Sequence, residues 1–481
     1  MAASDSIIEV LRDIVGPENV KNDPDILSQY AVDGMKPWVV VFPGSARELS
    51  EAVRLAAREN LSLVPWGSGT KMAKGNAPSR LDMVLGTERL NRVVDMDTAN
   101  LTVTAQAGVP FKELQAALAG EENRCYLPLQ DPVTISDQEF CSDRENRGCF
   151  IPLMPFCSRS ASLGGILAAN SSGPTRLLYG LPRDIVLGVR YVAPNGEIIG
   201  MGGKTVKNVS GYDMSKLMIG SLGSLGILCE MTLRLLPLPE RAATSLFLFE
   251  GLSEACRFVD KVFGTNLLPA AVELINHRAF GFVAPEKAEK LEKSGYMVAV
   301  AVEGVKEAVE RMILELEALG RKSGAGESMG LEKQDHHRFW DAYSNLPKLL
   351  FDQNADLVSV KLNYPVSRYA EVTDFAESSA SEYSLDSALL SHAGSGVTFI
   401  HYLVSPEQAN ATDRMAAFIN RLLERCGHVG GNMIVERASP DLKQKLPVWG
   451  SPRQDLVLMK RLKERIDPAG LFSPGRFVGG I

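Results

Sequence analysis

The sequence lacks the features of a membrane-spanning or nucleic-acid-binding chain. No apolar run is long enough to cross a bilayer, and the opening MAASDSIIEVLRDIVG has neither a basic n-region nor a continuous apolar core. Lys and Arg number 51 against 58 Asp and Glu, and no basic run is interleaved with aromatic residues. We therefore expect a cytoplasmic chain with no transmembrane segment and no nucleic-acid partner, which reaches a membrane only through partner proteins.

Cysteine is scarce, and its spacing is not that of a metal site. The seven cysteines are an odd count in a chain without a secretory signal, so they do not predict a disulfide framework. Cys125, Cys141, Cys149 and Cys157 are separated by 15, 7 and 7 residues, with no short C-x2-C pair. The spacing favours free thiols in an elaborated loop, and a bound cluster or metal is the alternative.

The two common nucleotide-binding motifs are also missing. GGKT at 202–205 resembles the end of a P-loop, but Ile198 stands where that motif needs its first glycine. Gly220, Gly223 and Gly226 follow G-x-x-G-x-x-G spacing, which is not the G-x-G-x-x-G of a dinucleotide-binding turn. Neither pattern predicts the ligand.

Three segments of small residues remain to be explained. They are GSGTK at 67–71, SLGGILAANSSGP at 162–174 and GSLGSLGIL at 220–228. Backbone N–H groups in such turns form anion-binding concavities, and a missing Cβ lets a ligand approach the main chain. Each segment alone is an ordinary turn as readily as a binding loop, but three together favour one long phosphorylated ligand.

Local signals predict an α+β chain of more than one domain. Ser45 and Glu48 form a capping box at a helix start, and Asn195-Gly196 marks a hairpin between two β-rich arms. Beyond residue 245, strands alternate with amphipathic helices, which favours an α+β layer over a long parallel sheet. With 45% hydrophobic and 23% charged residues, the composition is that of an ordinary globular protein.

Several longer motifs together resemble the FAD-linked oxidase family, which includes vanillyl-alcohol oxidase, glycolate oxidase and D-lactate dehydrogenase. In the first half the resemblance rests on Tyr30, Asp33, Pro37 and Pro43, and on PWGSGTK, TVTAQAGVPFKELQAAL, LPLQDP and SLGGILAANSSGP. The stretch GGKTVKNVSGYDMSKLMIGSLGSLGIL is most similar to the smaller FAD-binding subunit of the bacterial glycolate oxidase complex, and IDPAGLFSPGRF resembles the family's closing segment. The resemblance therefore covers nearly the whole chain.

This resemblance implies an α+β fold in three parts. Residues 1–240 would form a two-subdomain FAD-binding domain of the vanillyl-alcohol oxidase type, with a cysteine-containing insertion at 133–161. Residues 241–450 would form an α+β cap, or substrate, domain. Residues 451–481 would return to pack on the FAD-binding domain.

The same resemblance implies that the glycine segments clasp FAD. Because the first loop has no histidine for a covalent bond, we expect the cofactor to be noncovalent. The residues that the resemblance assigns to FAD are Trp66, Gly67, Ser68, Gly69, Thr70, Lys71, Pro128, Ser162, Gly164, Gly165, Asn170, Gly173, Gly220, Ser221, Gly223, Gly226 and Ile227.

The substrate side departs from the family pattern. Relatives carry a His-x-Gly-Asp-Gly-Asn-x-His strand and a Glu-His-Gly segment, matched here by HAGSGVTF from His392 and by ERA from Glu436. The second histidine becomes Phe399 and the third becomes Arg437, so we predict no metal, although His401 is a substitute ligand. We expect His392, His401, Glu436 and Arg437 to converge on the substrate as catalytic residues. We interpret Lys361 as part of a solvated strand face, with a carboxylate clamp as the alternative reading.

The resemblance implies a flavoprotein dehydrogenase subunit that oxidises a 2-hydroxy acid, such as glycolate or D-lactate. It would pass electrons to an iron–sulfur subunit and could pair with a paralogous FAD subunit. The apolar residues of the insertion, such as Phe150 and Phe156, need cover from the chain's own core or from a partner, and we predict that the insertion docks the partner. The alternatives are an electron-relay or assembly subunit without a substrate site, and a scaffold that has lost flavin.

Overall fold

The computed structural model describes residues 2–120, 149–205, 212–289, 295–354, 356–404, 412–452 and 454–481. Pro128, Cys125, Cys141 and most of the insertion lie outside these ranges, so predictions that rest on them stay untested. Single 3-10 turns lie at Pro17–Asn19, Val366–Arg368, Ala393–Ser395 and Val478–Gly480.

The first subdomain is a four-stranded sheet in the order β1-β2-β4-β3, with parallel pairing around β4 and an antiparallel β1. Its strands are β1 Val20–Lys21, β2 Val39–Val41, β3 Leu63–Trp66 and β4 Met83–Gly86, and its helices are Ala2–Val15, Pro24–Gln29 and Ala46–Arg58. The predicted N-cap is confirmed, because Ser45 Oγ accepts from the Glu48 N–H. The reciprocal bond differs from that of a capping box, since the Glu48 carboxylate accepts from the N–H of Gly44, one residue before the N-cap.

The second subdomain is an antiparallel sheet in the order β5-β6-β10-β8-β9. The strands of this part are β5 Val93–Asp97, β6 Thr102–Gln106, β7 Cys149–Phe150, β8 Val186–Val192, β9 Ile198–Gly202, β10 Ile227–Arg234 and β11 Leu236–Pro237, of which β7 pairs with β11. The helices are Phe111–Gly120, Leu163–Ala168, Arg176–Tyr179, Pro182–Ile185 and Ser215–Met218. The predicted hairpin joins β8 to β9, and Gly196 at its turn has φ of 78°.

The second half of the chain forms one antiparallel eight-stranded sheet in the order β15-β12-β14-β13-β17-β18-β16-β19. Its strands are β12 Arg241–Phe249, β13 Ala271–Asn276, β14 Tyr296–Gly304, β15 Glu327–Glu332, β16 Val358–Asn363, β17 Asp386–His392, β18 Val397–Leu403 and β19 Asn432–Arg437. Its helices are Leu252–Phe263, His277–Val283, Pro285–Ala288, Lys306–Lys322, Lys333–Gln353, Tyr369–Glu382, Thr412–His428 and Pro440–Lys443. The sequence reading missed the helix Lys333–Gln353.

The two faces of this sheet are covered differently. One face packs against four helices through residues such as Phe258, Val309 and Phe418. The other packs against the helix Lys333–Gln353 and against a short segment around Phe156 that belongs to the first half of the chain. That second face therefore lies between the two halves and positions the site described below.

The apolar end of the insertion is buried within this chain, which is one of the two kinds of cover that the sequence left open. Phe150, Ile151, Leu153, Met154 and Phe156 are each at most 2% exposed. The β7–β11 pairing and the packing of Phe156 against the cap sheet supply this cover. Docking of a partner by the insertion stays a prediction, since most of the insertion lies outside the described residues.

The C-terminal segment returns to the first sheet. After the helix Leu456–Ile466, the Leu63 N–H donates to the Leu471 carbonyl at 2.7 Å, and the Ser473 N–H donates to the Leu63 carbonyl at 2.7 Å. Leu471 and Phe472 are buried in the core of the first sheet. The last residues thus stabilise the strand that leads into the first glycine loop.

Candidate functional site

A cleft of about 730 Å³ lies where the three glycine segments meet. Its walls come from segments that are far apart in sequence. This is what the binding of one ligand by all three segments requires. Of the predicted cofactor residues, those lining this cleft are Trp66, Gly67, Ser68, Gly69, Thr70, Lys71, Gly164, Gly165, Ser221, Gly223, Gly226 and Ile227.

Several of these glycines allow the segments to approach each other. A Cβ on Gly67 would lie 2.3 Å from Ser162 Oγ, and one on Gly164 would lie 2.7 Å from the Ala107 Cβ. Gly223 has φ of +70°, and its Cβ would lie 2.7 Å from Pro65 Cγ. These glycines are therefore required by the protein itself, a reason that the sequence reading did not give.

Gly165 is different, because its Cβ would meet only Ser162 Oγ, at 3.0 Å. It lies in the helix Leu163–Ala168 and lines the cleft. Gly165 is thus a position where bare backbone faces the space that a ligand would occupy.

Ser162, Asn170, Gly173 and Gly220 are not among the residues that line the cleft, and Pro128 lies outside the described residues. A Cβ on Gly173 would lie 2.0 Å from the Met154 carbonyl oxygen, and one on Gly220 would lie 3.3 Å from Asn170 Cβ. Ser162 Oγ and Asn170 Oδ1 are buried polar atoms without a hydrogen-bond partner in the described structure. The cleft, its bare backbone and these two acceptors fit a long polar cofactor such as FAD.

Two buried cations hold the loop that follows the first glycine segment. Lys443 Nζ donates to the carbonyls of Ala73 and Gly75, at 2.5 and 3.0 Å. An Arg476 nitrogen donates to the carbonyls of Met72 and Lys74, at 2.7 and 3.0 Å. Four successive carbonyls are thereby turned toward the protein interior.

The same Lys443 forms a buried ion pair with Asp33, at 2.7 Å. Lys443 comes from the second half of the chain and Asp33 from the first, so this cluster joins the two halves at the loop. The sequence reading noted Asp33 and the segment holding Arg476 only as family motifs and missed their contact with this loop.

A second cavity of about 1030 Å³ lies between the two halves. It shares Trp66, Ser68, Gly69, Thr70 and Lys71 with the first cleft, so the two spaces adjoin along one loop. Its remaining walls include Phe156, Cys157, Phe351, Leu357, Ser359, Phe399, His401, Glu436 and Arg437. Three of the four predicted catalytic residues, His401, Glu436 and Arg437, thus line one cavity.

Positive charge is in excess around this cavity. Glu436 accepts from Lys74 at 2.8 Å, and Lys71 lies 4.0 Å from its other oxygen. Burial by itself raises the pKa of the Glu436 carboxyl, but Lys74, Lys71 and Lys361 outweigh it and lower that pKa to about 2. One carboxylate therefore faces three ammonium groups.

Arg437 and Lys361 add to this charge while each packs on an aromatic ring. The Arg437 guanidinium lies 3.2 Å from the centroid of the Phe351 ring, and burial lowers its pKa to about 10. Lys361 Nζ lies 5.6 Å from the centroid of Phe399, and burial together with the charge of Lys74 lowers its pKa to about 8. Lys361 therefore does not lie on a solvated strand face, which corrects the sequence interpretation.

His401 lines the second cavity and has one unpartnered ring nitrogen. Its Nδ1 lies 2.8 Å from Ser359 Oγ, whereas its Nε2 is buried without a partner. Burial, and then the charge of Lys71, lowers the pKa of His401 to about 4, so the ring is neutral at pH 7. If Nδ1–H donates to Ser359, Nε2 carries a lone pair that no described group satisfies.

His392 lies apart from the other three predicted catalytic residues. Its Nδ1 lies 2.7 Å from a Glu273 oxygen, and Tyr343 donates to the same carboxylate. Its ring packs beside Phe156 and Phe399, at centroid distances of 6.0 and 5.5 Å, and both phenylalanines line the cavity. These two rings place His392 behind the cavity wall.

The donor set does not fit a metal ion. No group of three or more His, Cys, Asp or Glu side chains converges in the described part of the chain. Phe399 has no donor atom, and Glu436 is paired with Lys74. Cys149, Cys157, Cys229, Cys256 and Cys426 are buried and form no disulfide, while a cluster involving Cys125 and Cys141 stays untested.

None of the helices in the described ranges is both long and apolar enough to cross a bilayer.

Comparison with known proteins defines the class. The family profile described as FAD linked oxidases, C-terminal domain, matches residues 238–477, and the profile FAD binding domain matches residues 37–136 and 139–202. The chain is a flavoprotein oxidoreductase whose cofactor is FAD. More narrowly, it belongs to the FAD-linked oxidase family, as the sequence resemblance predicted.

Curated relatives match over almost the whole chain. The glycolate oxidase subunit GlcD of Bacillus subtilis is 26% identical over 475 residues, covering 97% of this chain and 96% of that protein. D-2-hydroxyglutarate dehydrogenase of Xanthomonas citri is 26% identical over 98% of this chain and 97% of its own length. D-lactate dehydrogenase of Archaeoglobus fulgidus is 26% identical over 92% of this chain and 91% of its own length.

Solved structures share the fold at lower identity. A 4-ethylphenol oxidase from Gulosibacter chungangensis superposes with a TM-score of 0.74 at 16% identity, covering 98% of this chain and 96% of that one. p-Cresol methylhydroxylase also gives 0.74 at 16% identity, covering 99% and 97%. The predicted α+β architecture, with FAD-binding and C-terminal domains, is thereby confirmed.

Proposed function

We propose that this chain is a FAD-dependent dehydrogenase, or a subunit of one, that oxidises a 2-hydroxy acid to the 2-oxo acid. The observation that carries the proposal is the cation-rich second cavity, which adjoins the FAD cleft and contains the neutral His401. Relatives named for glycolate, D-lactate and D-2-hydroxyglutarate support this substrate class. Glycolate and D-lactate are the first substrates to test.

The residues present account for binding and proton transfer. Arg437 and Lys71 would bind the substrate carboxylate, Arg437 through paired N–H donors. His401 Nε2 would take the hydroxyl proton as the C=O bond forms at the α-carbon. FAD, when bound, supplies the chemistry that accepts the hydride from that carbon. Glu436 would keep Lys71 and Lys74 in place.

The cofactor would be held noncovalently by the three glycine segments. The predicted residues that line the first cleft would contact it, with Ser162 and Asn170 offering their unpartnered acceptor atoms nearby. Lys443 and Arg476 would fix the loop that carries Lys71 and Lys74.

Variants can test whether His401, whose pKa is lowered to about 4, acts as the neutral base. His401→Gln should slow anaerobic flavin reduction roughly 100-fold or more, because a general base typically contributes this much. The control is His336→Gln, since His336 is also buried, hydrogen-bonded through Nδ1 to Thr244, and absent from the cavity walls. Equal rates of flavin reduction in the two variants, with FAD retained in both, would contradict the role of His401 as the base.

Electrons would leave for a partner protein rather than oxygen, as the sequence resemblance implies. We include in the proposal an iron–sulfur subunit and a paralogous FAD subunit as partners. The name of the Bacillus subtilis relative, a glycolate oxidase subunit, supports membership of a complex.

A relay subunit without its own substrate site is the second candidate. The position of His392 behind Phe156 and Phe399 favours it, because a residue expected to contact substrate does not line the cavity. Anaerobic titration of the isolated chain with glycolate or D-lactate separates the two candidates. Bleaching of the flavin by either acid supports the dehydrogenase, whereas bleaching only in the presence of co-purified partners supports the relay.

A further inference from the structure

We infer that the second cavity contains an aromatic subsite for the side chain of its acid, so that the preferred substrate carries an aryl or other large apolar group. This inference rests on the proposed function and names the substrate class more narrowly. The subsite is formed by Phe156, Phe351, Leu357 and Phe399, together with Pro347.

The make-up of the cavity wall is the first observation. Its apolar side chains include those of Phe156, Phe351, Leu357, Phe399 and Pro347, of which Phe351 and Pro347 are only partly buried. Glycolate and lactate have only a few heavy atoms, so either would leave much of the apolar wall in contact with water. Because exposed apolar surface is unfavourable, this wall is better matched by a larger ligand.

The placement of charge beside the rings is the second observation. The Arg437 guanidinium carbon lies 3.2 Å from the centroid of the Phe351 ring, and a guanidinium packed on a ring keeps N–H donors for a carboxylate. Lys361 lies over Phe399, and Lys71 lies 5.9 Å from the centroid of Phe156. Each ring is therefore next to a cation, and an anion bound there has an aromatic surface within reach of its side chain.

The rings are held in place by the fold. Phe156 and Phe399 are buried and meet edge to face, with centroids 4.8 Å apart. Leu357 is 2% exposed and belongs to the same core as the helix Lys333–Gln353. The apolar wall is thus preformed, and binding a ring against it orders few side chains.

The test uses acids that cannot be oxidised, so that it reads binding alone. Affinities of the FAD-loaded protein for 3-phenylpropionate and propionate are measured by calorimetry and by the change in flavin absorbance. Burying the phenyl ring should tighten binding roughly 10- to 100-fold over propionate. Equal affinities for the two acids would overturn the inference.

Variants then locate the ring. Phe351→Ala should reduce the phenylpropionate preference several-fold, and Ser160→Trp should do the same by filling the cavity from an exposed position on its wall. Phe282→Ala is the matched control, because Phe282 is also a partly buried ring beside an arginine, Arg278, but does not line the cavity. A preference unchanged in both Phe351→Ala and Ser160→Trp contradicts the subsite.

Failure of the inference and of the proposed function are distinguishable. Flavin bleaching by small 2-hydroxy acids, without any preference for a ring, keeps the proposed function and rejects the subsite. A preference for 3-phenylpropionate that both Phe351→Ala and Ser160→Trp lower supports the subsite. If no 2-hydroxy acid then bleaches the flavin, the proposed reaction is rejected.

Discussion

Replacing Gly165 with valine should expel FAD while leaving the rest of the protein intact. Gly165 lines the first cleft, and an added Cβ would meet only the unpartnered Ser162 Oγ, at 3.0 Å. Valine would therefore project into the space meant for the cofactor. Gly69 and Gly223 are poorer positions for this test, because both have positive φ and a Cβ there would meet Trp66 or Pro65.

The expected size of the effect follows from overpacking. Forcing extra methyl groups into a filled space costs about 1–3 kcal/mol, which weakens FAD binding by roughly 5- to 150-fold. Helix propensities of glycine and valine differ by only about 0.5 kcal/mol, so the unfolding midpoint of the FAD-free protein should hardly move. Both quantities are measured on purified protein, the affinity by flavin fluorescence and the midpoint by thermal unfolding.

A matched control is available in the second half of the chain. Gly281 is also a helical glycine, in His277–Val283, and a Cβ there would have no neighbour within 4 Å. Gly281→Val should leave FAD affinity at the wild-type value. Wild-type affinity in Gly165→Val would refute the assignment of this cleft to FAD, and a large fall in the FAD-free midpoint would show that the valine meets protein instead.

Two further predictions concern the contacts that join the halves. Glu303 is buried and accepts from Tyr179, and burial raises the pKa of its carboxyl from 4.5 to about 7. The contribution of Glu303 to the free energy of unfolding is therefore highest below pH 4.5, where the carboxyl is neutral, and falls as the pH rises to 7. Glu303→Gln should match wild type in thermal unfolding at pH 4.5 and exceed it by up to about 3 kcal/mol at pH 8; no gain at pH 8 would contradict this. Lys443→Met should destabilise the protein by about 3–5 kcal/mol and weaken FAD binding, because it leaves Asp33 and two loop carbonyls buried without their partner. The control is Lys445→Met, which removes an exposed ion pair with Asp413. Equal losses in the free energy of unfolding for the two lysine variants, measured by denaturant titration, would contradict the importance of the buried contact.

Local chemistry made parts of this protein readable from sequence. The N-cap at Ser45 and the hairpin at Asn195-Gly196 depend on residues within a few positions of each other, so both could be predicted. The glycine segments pointed to a backbone-lined ligand site, and their combined motifs identified the FAD-linked oxidase family. Because residues two apart on a strand share a face, Phe399 and His401 were also expected on one side of β18, and both line the cavity.

Other features depended on contacts between distant parts of the chain. Phe156 closes off His392 from 236 positions away in sequence, and no local pattern records that contact. The sequence left open whether this chain or a partner covers the apolar residues of the insertion, and the cap sheet covers Phe156 only after folding. The capture of the Met72–Gly75 carbonyls by Lys443 and Arg476 likewise joins residues about 400 apart.

The sequence by itself determined the local turns and caps, because these depend on backbone freedom and short-range hydrogen bonds. Its motifs also identified the family, and with it the cofactor class, through their resemblance to known flavoproteins. Only the tertiary structure decided which histidine lines the cavity, which cations are buried and in which direction the pKa of Lys361 shifts. Those properties depend on burial and on charges brought together by packing, since a pKa is set by the neighbours that surround a group in space. His392 and His401 are both buried strand histidines, and only the packing of two phenylalanines places them on different sides of the cavity wall.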